Sequence, residues 1–123
     1  MRMLIIIAVI VVALYAAYKI YSTNKVDREL DALLRQDHII LDVRTPGEFS
    51  GGHIDGAINI PLSQLRTVKI PIDKNRVIIT CCSHGLRSVK AMDVLRARGF
   101  IKAHNGGAWG DLAARSQRLQ SGN

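Results

Sequence analysis

A run of apolar residues at the amino end limits most strongly what this chain can fold into. From Met3 to Tyr18 the sequence has 16 residues without a charge, a glycine or a proline. A helix that is apolar on every side must be buried or lie in a membrane, and the rest of the chain forms too small a domain to surround it. The run is close to the ~17 residues of the shortest membrane-spanning helices. We therefore predict a transmembrane helix, an uncleaved signal anchor, over residues 1–21.

The residues around this run bear on cleavage and on orientation. The alternative to an anchor is a cleaved secretory signal that begins with Arg2, but "AAYKIYS" at its end is a poor cleavage site. Lys19, Lys25 and Arg28 follow the run, whereas only Arg2 and the amino terminus precede it. The positive-inside rule then favours a cytoplasmic domain by a small margin. We predict a single-pass protein of the cell (inner) membrane and leave the side of the domain open.

The remainder of the chain alternates between strand-like and helix-like segments. The polar residues "STNK" indicate a linker over residues 22–28. Apolar runs that predict strands are "HIILDV", "GAINIP", "RVIIT" and "FIKAH", and the amphipathic stretch "SVKAMDVLRARG" predicts a helix between the last two. Such alternation is typical of an α/β fold, here a small parallel sheet of about four or five strands flanked by helices. We place this domain at residues 29–114 and a tail at residues 115–123.

The segment "CCSHGLRS", residues 81–88, follows a predicted strand directly and leads into a helix. Ligands of parallel sheets bind beyond the carboxyl ends of the strands, and the unpaired N–H groups at a helix start stabilise an anion. A thiol there should ionise more readily than a free thiol, whose pKa is ~8.5. Arg87 adds a permanent positive charge, and Gly85 allows a tight turn towards the sulfur. These features predict a nucleophilic thiolate in an anion-binding loop.

The two adjacent cysteines give this loop two alternative registers. Counted from Cys82 to Arg87 the loop has six residues, and counted from Cys81 it has seven. A disulfide between them would be strained, because adjacent Cα atoms lie ~3.8 Å apart and disulfides prefer ~4.4–6.8 Å. Strand alternation places the two side chains on opposite faces. One thiol should therefore enter the loop while the other is buried.

Four segments, "LDVRTPGEF", "GGHIDGAINIP", "CSHGLRS" and "NGGAW", occur in an order that resembles the rhodanese family of sulfurtransferases. The resemblance covers about residues 29–114. Within the family, the chain resembles the single-domain bacterial rhodaneses, including the phage shock protein E type. It implies a rhodanese-like fold. The phage shock protein E resemblance also favours a periplasmic domain, against the charge balance.

The resemblance also implies which cysteine reacts. The family loop C-x-x-G-x-R-S fits when counted from Cys82, and we interpret Cys81 as a packed small hydrophobic residue. Cys82 is the predicted catalytic residue. The predicted substrate-binding loop comprises Ser83, His84, Gly85, Leu86, Arg87 and Ser88.

The implied reaction is the transfer of sulfane sulfur. Cys82 would attack the outer sulfur of a small anionic donor such as thiosulfate, release sulfite, and pass the sulfur of its persulfide to a thiol, of a small molecule or a protein, or to cyanide. A catalytically silent interaction module with the same fold is the alternative. Less favoured alternatives are a phosphatase or arsenate reductase that uses Cys81, and a redox switch of both thiols.

Several further side chains are given supporting roles. By the resemblance, Asp42 and Arg44 organise the loops near the site, and His53 bonds to the backbone. Arg44 could also pair with Glu48, an exposed type of pair that contributes little stability. Trp109 is interpreted as core packing at the start of the last helix.

The composition argues against some classes of partner. The formal net charge is +7, which attracts anions and anionic lipid, but an aromatic-rich RNA-binding motif is missing and we expect no nucleic-acid partner. The histidines at positions 38, 53, 84 and 104 show no metal-ligand spacing. We predict neither a metal nor a cofactor.

Overall fold

The computed structural model describes residues 1–122, which fall into two compact units, Met1–Ala32 and a second unit that begins at Leu33. Helix α1 covers Arg2–Arg35. It is long and apolar enough to cross a membrane, with a mean hydropathy of 2.5 over its most apolar window, none of which is buried.

Residues 22–28, predicted as a linker, are helical and continue α1. Two polar side chains of this stretch bond back to the preceding turn, Ser22 Oγ and Thr23 Oγ1 to the carbonyl of Lys19 at 3.1 and 2.9 Å. Hydroxyls satisfied in this way are compatible with a helix. The polarity of "STNK" thus reflects exposure and not a break in the helix.

The second unit contains a parallel sheet of four strands, which confirms the predicted α/β class. The strands are β1 (Ile39–Asp42), β2 (Ile58–Asn59), β3 (Ile78–Cys82) and β4 (Ala103–Ala108), in the order β2-β1-β3-β4. All three neighbouring pairs are parallel. All five residues of β3 are buried, as expected for a central strand covered on both faces.

Three helices accompany the sheet: α2 (Pro46–Ser50), α3 (Leu86–Ala97) and α4 (Trp109–Ser121). Helix α2 lies in the segment "RTPGEFSGGH", between two of the predicted strands, where the sequence analysis placed no helix. It forms because Thr45 and Glu48 make a capping box and Pro46 occupies the first turn. The predicted tail, residues 115–123, begins inside α4, which continues to Ser121.

The main hydrophobic core lies on one face of the sheet. Its members include Leu41 and Ile78 from the strands and Leu95 from α3, all of them fully buried. Cys82 belongs to this cluster, whereas Cys81 is buried outside it. The two cysteines therefore lie on opposite faces of β3, as alternation along a strand requires.

On the other face, α4 packs closely against the sheet at Gly106. A Cβ atom at this position would lie 2.7 Å from Ile79 Cγ2, 2.7 Å from the carbonyl of Thr80 and 2.9 Å from Leu112 Cδ2. The sequence places a glycine there because backbone and side chains leave no room for a methyl group.

We expect Gly106→Ala to lower the free energy of unfolding by about 1–3 kcal/mol, the usual effect of overpacking a filled core. Gly110→Ala is the matched control, since a Cβ there would meet nothing within 4 Å. In the helix this control should be neutral or stabilising by up to about 1 kcal/mol. Urea unfolding of both variants tests the prediction, and equal stabilities would contradict it.

Candidate active site

The carboxyl ends of β1 and β3 bring the candidate residues to one edge of the sheet. Strand β3 ends at Cys82, two residues later than the predicted strand "RVIIT". Helix α3 begins at Leu86, so the loop between them is short. Strand β1 ends at Asp42, paired in parallel register with Cys81. Parallel packing thus places the segments that follow both strands beside each other.

The sulfur of Cys82 is surrounded by donors of this loop. Its Sγ accepts hydrogen bonds from the main-chain N–H of Gly85 at 2.9 Å and of Ser88 at 3.3 Å. Gly85 has a φ of 95°, in the left-handed region that favours glycine, and this turn aims its N–H at the sulfur.

These donors determine how readily Cys82 ionises. Burial of the thiol acts to raise its pKa, but the hydrogen bonds from Ser88 and from the main-chain N–H groups of Gly85 and His84 act in the opposite direction and prevail. The pKa of Cys82 is therefore lowered below its ordinary value. A lower pKa enlarges the fraction of thiolate, the reactive form of the side chain.

Cys81 has the opposite character. It is fully buried, and burial, followed by the nearby charge of Asp42, raises its pKa to about 12. Both cysteines are free thiols. The structure therefore places Cys82, and not Cys81, against the main-chain N–H donors of the loop before α3.

Arg87 forms an ion pair across the loop with a residue whose part in the site was not predicted. Its Nη1 and Nη2 donate to the two carboxylate oxygens of Glu48 at 2.8 and 3.0 Å. Ser83 Oγ lies 2.8 Å from the same carboxylate and 3.0 Å from Arg87 Nη2. Glu48 thus joins helix α2 to the loop.

The prediction that Arg44 pairs with the carboxylate of Glu48 is wrong. Arg44 instead holds Asp42, with its Nη2 2.7 Å from Oδ2 and its Nε 3.0 Å from both carboxylate oxygens. It also donates to the main-chain carbonyls of Glu48 and Gly52 and lies over the ring of Trp109, 4.6 Å from its centroid. All three guanidinium nitrogens of Arg44 already contact Asp42 or these two carbonyls, so none is left for the carboxylate of Glu48. Arg44 and Asp42 hold the loop after β1 in place and are both buried.

Two further polar residues support the start of α3. Ser88 Oγ lies 2.6 Å from Asn105 Oδ1 and 2.8 Å from the carbonyl of Gly85. Thr80 Oγ1 donates to the carbonyl of Ser88 at 2.8 Å. Neither residue was given a role in the site: Thr80 is the last residue of a predicted strand, and Asn105 begins the segment "NGGAW", which indicates the family but not the contact with Ser88.

The comparisons with known proteins agree with this geometry. Residues 26–108 match the family described as "Rhodanese-like domain". The chain belongs to the rhodanese family.

Curated relatives of this rhodanese include single-domain sulfurtransferases. It is 39% identical over 109 residues to "Uncharacterized protein YqhL" of Bacillus subtilis, covering 85% of each chain. It is 34% identical to "Thiosulfate sulfurtransferase PspE" of Escherichia coli, covering 59% of this chain and 72% of that protein. It is 31% identical to "Thiosulfate sulfurtransferase GlpE" of Shewanella oneidensis, covering 80% and 99%.

A solved structure agrees as well. A rhodanese from E. coli described "with anions" is 32% identical and superposes with a TM-score of 0.55, covering 61% of this chain and 91% of that one. These comparisons confirm the resemblance that the four sequence segments indicated.

The remaining loop side chains of this rhodanese point outward. His84 is exposed, and Leu86 is 79% exposed. His53, as implied, bonds to the backbone, with Nδ1 2.8 Å from the carbonyl of Phe49. Trp109 begins α4 but is only half-buried, so its contact with Arg44 replaces the core packing that was predicted.

Within residues 1–122, no group of three or more histidine, cysteine or acidic side chains is placed to hold a metal ion. What the site of this rhodanese offers instead is a sulfur atom surrounded by main-chain donors. Such donors stabilise a negative charge on whatever atom lies at the mouth of the loop.

The two cysteines should differ in their dependence on pH. We expect alkylation of Cys82 to reach half its maximal rate at a pH below ~8.5, the pKa of a free thiol, because the lowered pKa of Cys82 lets its thiolate form at lower pH. Cys81 should stay unreactive in the folded protein until the pH approaches about 12. Alkylation rates from pH 5 to 10, read by mass spectrometry on the two single-serine variants, check this. A half-maximum for Cys82 above that of a free thiol would contradict it.

Proposed function

We propose that this rhodanese is a membrane-anchored sulfurtransferase that moves sulfane sulfur through a persulfide on Cys82. The observation that carries the proposal is the position of Cys82 Sγ, 2.9 Å from the main-chain nitrogen of Gly85 at the start of α3, together with its lowered pKa. The names of the relatives PspE and GlpE, both thiosulfate sulfurtransferases, support the choice of reaction.

The proposed first step uses a small anionic donor such as thiosulfate. The Cys82 thiolate attacks the outer sulfur of the donor and forms a new S–S bond. The S–S bond of thiosulfate breaks, and sulfite leaves with its electron pair. The N–H groups of Gly85 and Ser88 contact Sγ, the atom that carries the charge before the step, and after the step the charge lies on the terminal sulfur of the Cys82 persulfide.

The second step returns the enzyme to its resting state. An acceptor thiolate, or cyanide in an assay, attacks the terminal sulfur of the Cys82 persulfide. The bond between the two sulfurs breaks, and the electron pair stays on Cys82 as a thiolate. The loop then stabilises the leaving thiolate through the same N–H groups, which favours departure.

Steady-state turnover tests the proposal. With thiosulfate and cyanide, the purified domain should release sulfite and thiocyanate in equal amounts, with ping-pong kinetics. Replacing cyanide with a small dithiol should release sulfide. A folded chain that gives no turnover with either acceptor would contradict the proposal and favour the silent interaction module.

The alternative based on Cys81 lacks support in the geometry. A phosphatase or arsenate reductase of that type needs a thiolate in the anion-binding loop, and Cys81 is buried with a raised pKa. We expect no hydrolysis of an aryl phosphate and no arsenate reduction. A redox switch would require the strained bridge between neighbours, so both thiols should stay free after mild oxidation.

Anchoring in the inner membrane is part of the proposal and rests on α1. The full chain should stay with the membrane fraction after alkaline carbonate extraction, whereas a chain that begins at residue 33 should be released. Labelling of Cys82 in intact spheroplasts with an impermeant thiol reagent decides the side: labelling indicates a periplasmic domain, and labelling only after lysis a cytoplasmic one. Release of the full chain by carbonate would contradict the anchor.

A further inference from the structure

The ion pair between Arg87 and Glu48 lies at the rim of the loop that holds Cys82. Arg87 is the only lysine or arginine among residues 81–88. Both of its terminal nitrogens contact the carboxylate of Glu48, at 2.8 and 3.0 Å, and both side chains are 35% exposed. The fork of the guanidinium, which suits an oxyanion, is thus already filled by a carboxylate of the same chain.

Glu48 keeps its charge under all ordinary conditions. The hydrogen bonds from Arg87, then from Ser83 and Thr45, hold the pKa of Glu48 well below its usual range. The positive charge of Arg87 is therefore opposed by the permanent negative charge of Glu48 at hydrogen-bond distance. A donor that enters the loop meets the N–H groups around Cys82 and a neutral pair beside them, and not a free guanidinium.

We propose that Glu48 is a specificity-determining residue that disfavours doubly charged sulfur donors and favours donors with a single charge, such as alkyl persulfides. The inference rests on the proposed function, because it concerns which donor the same Cys82 uses. The Glu48 carboxylate repels each negative charge of the donor. It also occupies the guanidinium of Arg87, which would otherwise bind the donor. Repulsion of a dianion is about twice that of a monoanion at the same distance.

The step with a persulfide donor needs no other reactant. The Cys82 thiolate attacks the outer sulfur of the persulfide anion RS–S⁻, and the bond between the two donor sulfurs breaks. The thiol fragment RS⁻ leaves with the electron pair, and the negative charge of the transferred sulfur stays on the terminal sulfur of the new Cys82 persulfide. Atoms and charge balance, and the leaving group carries one charge where sulfite carries two.

A matched pair of donors isolates the charge. Thiosulfate and the methanethiosulfonate ion both offer a terminal sulfur on a sulfonyl sulfur, but the methyl group of the second replaces one charged oxygen. Cys82 releases sulfite from the first and methanesulfinate from the second. Single-turnover formation of the persulfide, followed by mass spectrometry, gives kcat/KM for each donor without an acceptor.

The decisive variant is Glu48→Gln, which removes the charge but keeps the shape and the residue type that a capping box accepts at this position. We expect E48Q to raise kcat/KM for thiosulfate by about tenfold more than for methanethiosulfonate, as one unit of charge at short range predicts. Glu48→Ala should shift the ratio in the same direction if E48Q folds poorly. Equal factors for both donors, or a larger gain for methanethiosulfonate, would overturn the inference.

A control separates a local from a general effect of charge. Asp73→Asn removes one exposed negative charge before β3, at the end of the strand opposite Cys82, and Asn keeps the oxygen that accepts from the N–H of Asn75. It should leave the donor ratio within a factor of about two, because screening is strong beyond ~8 Å at physiological salt. The same shift in Asp73→Asn as in E48Q would overturn the inference. Persulfide formation from neither donor in the unaltered chain would instead overturn the proposed function, and the inference with it.

Discussion

Replacing Cys82 with serine is expected to lower sulfur transfer from thiosulfate by about three orders of magnitude or more, down to the uncatalysed background. A serine hydroxyl does not ionise in this pH range and cannot hold a transferable sulfur. The main-chain donors of Gly85 and Ser88 would remain, but with no thiolate to stabilise. Turnover with thiosulfate and cyanide measures the loss.

Cys81→Ser is the matched control for this variant, since it removes a thiol from the neighbouring residue. Cys81 lies on the other face of β3 and is fully buried, so its loss should leave turnover within about threefold and lower stability by about 1 kcal/mol or more through the buried hydroxyl. A reversal of the two results would show that the seven-residue register is the working one.

The largest effect on stability is expected at the buried ion pair after β1. Asp42→Asn should lower the free energy of unfolding by about 3–5 kcal/mol, because it leaves Arg44 with an uncompensated buried charge. Asp42 is fully buried and Arg44 is 4% exposed, and three contacts of 3.0 Å or less join the guanidinium to the carboxylate. For a domain of this size the loss corresponds to a fall in Tm of about 12 °C or more.

An exposed ion pair in the same domain is the control. Asp37 Oδ2 lies 3.0 Å from Arg76 Nη2, and the Asp37 side chain is 85% exposed. Asp37→Asn should change the free energy of unfolding by no more than about 0.5 kcal/mol. Thermal unfolding of both variants, followed by circular dichroism, checks the contrast. A loss below about 1 kcal/mol for Asp42→Asn would mean that Arg44 finds other partners.

The parts of the fold that the sequence predicted are those with strong local signals. Continuous apolar runs identified the buried strands, and the amphipathic segment "SVKAMDVLRARG" correctly predicted α3, after whose end the N–H of Phe100 bonds to the carbonyl of Leu95 at 3.0 Å. The strand limits were less accurate. Strand β3 extends to Cys82, beyond the predicted end at Thr80, because Cys81 pairs with Asp42 of β1 and so continues the sheet.

The site was predicted as far as one segment of chain encodes it. The loop from Cys82 to Arg87 is contiguous, so its glycine could be read directly, but the helix that follows was predicted from Ser88 and begins at Leu86. The pairing of Glu48 with Arg87 joins residues 39 positions apart and depends on the parallel order of β1 and β3. The capping box of Thr45 and Glu48 was a readable signal for α2, but it predicts only the local use of the carboxylate.

The most direct test of the central claim is to find the transferred sulfur. After incubation with thiosulfate and no acceptor, tryptic cleavage should give the peptide from residues 77–87, which contains both cysteines. Fragmentation between the two cysteines should show a gain of ~32 Da, one sulfur atom, on Cys82 alone. Only the sulfur of Cys82 contacts the N–H groups of the loop that stabilise a thiolate. A gain on Cys81, or none on a folded protein, would contradict the account.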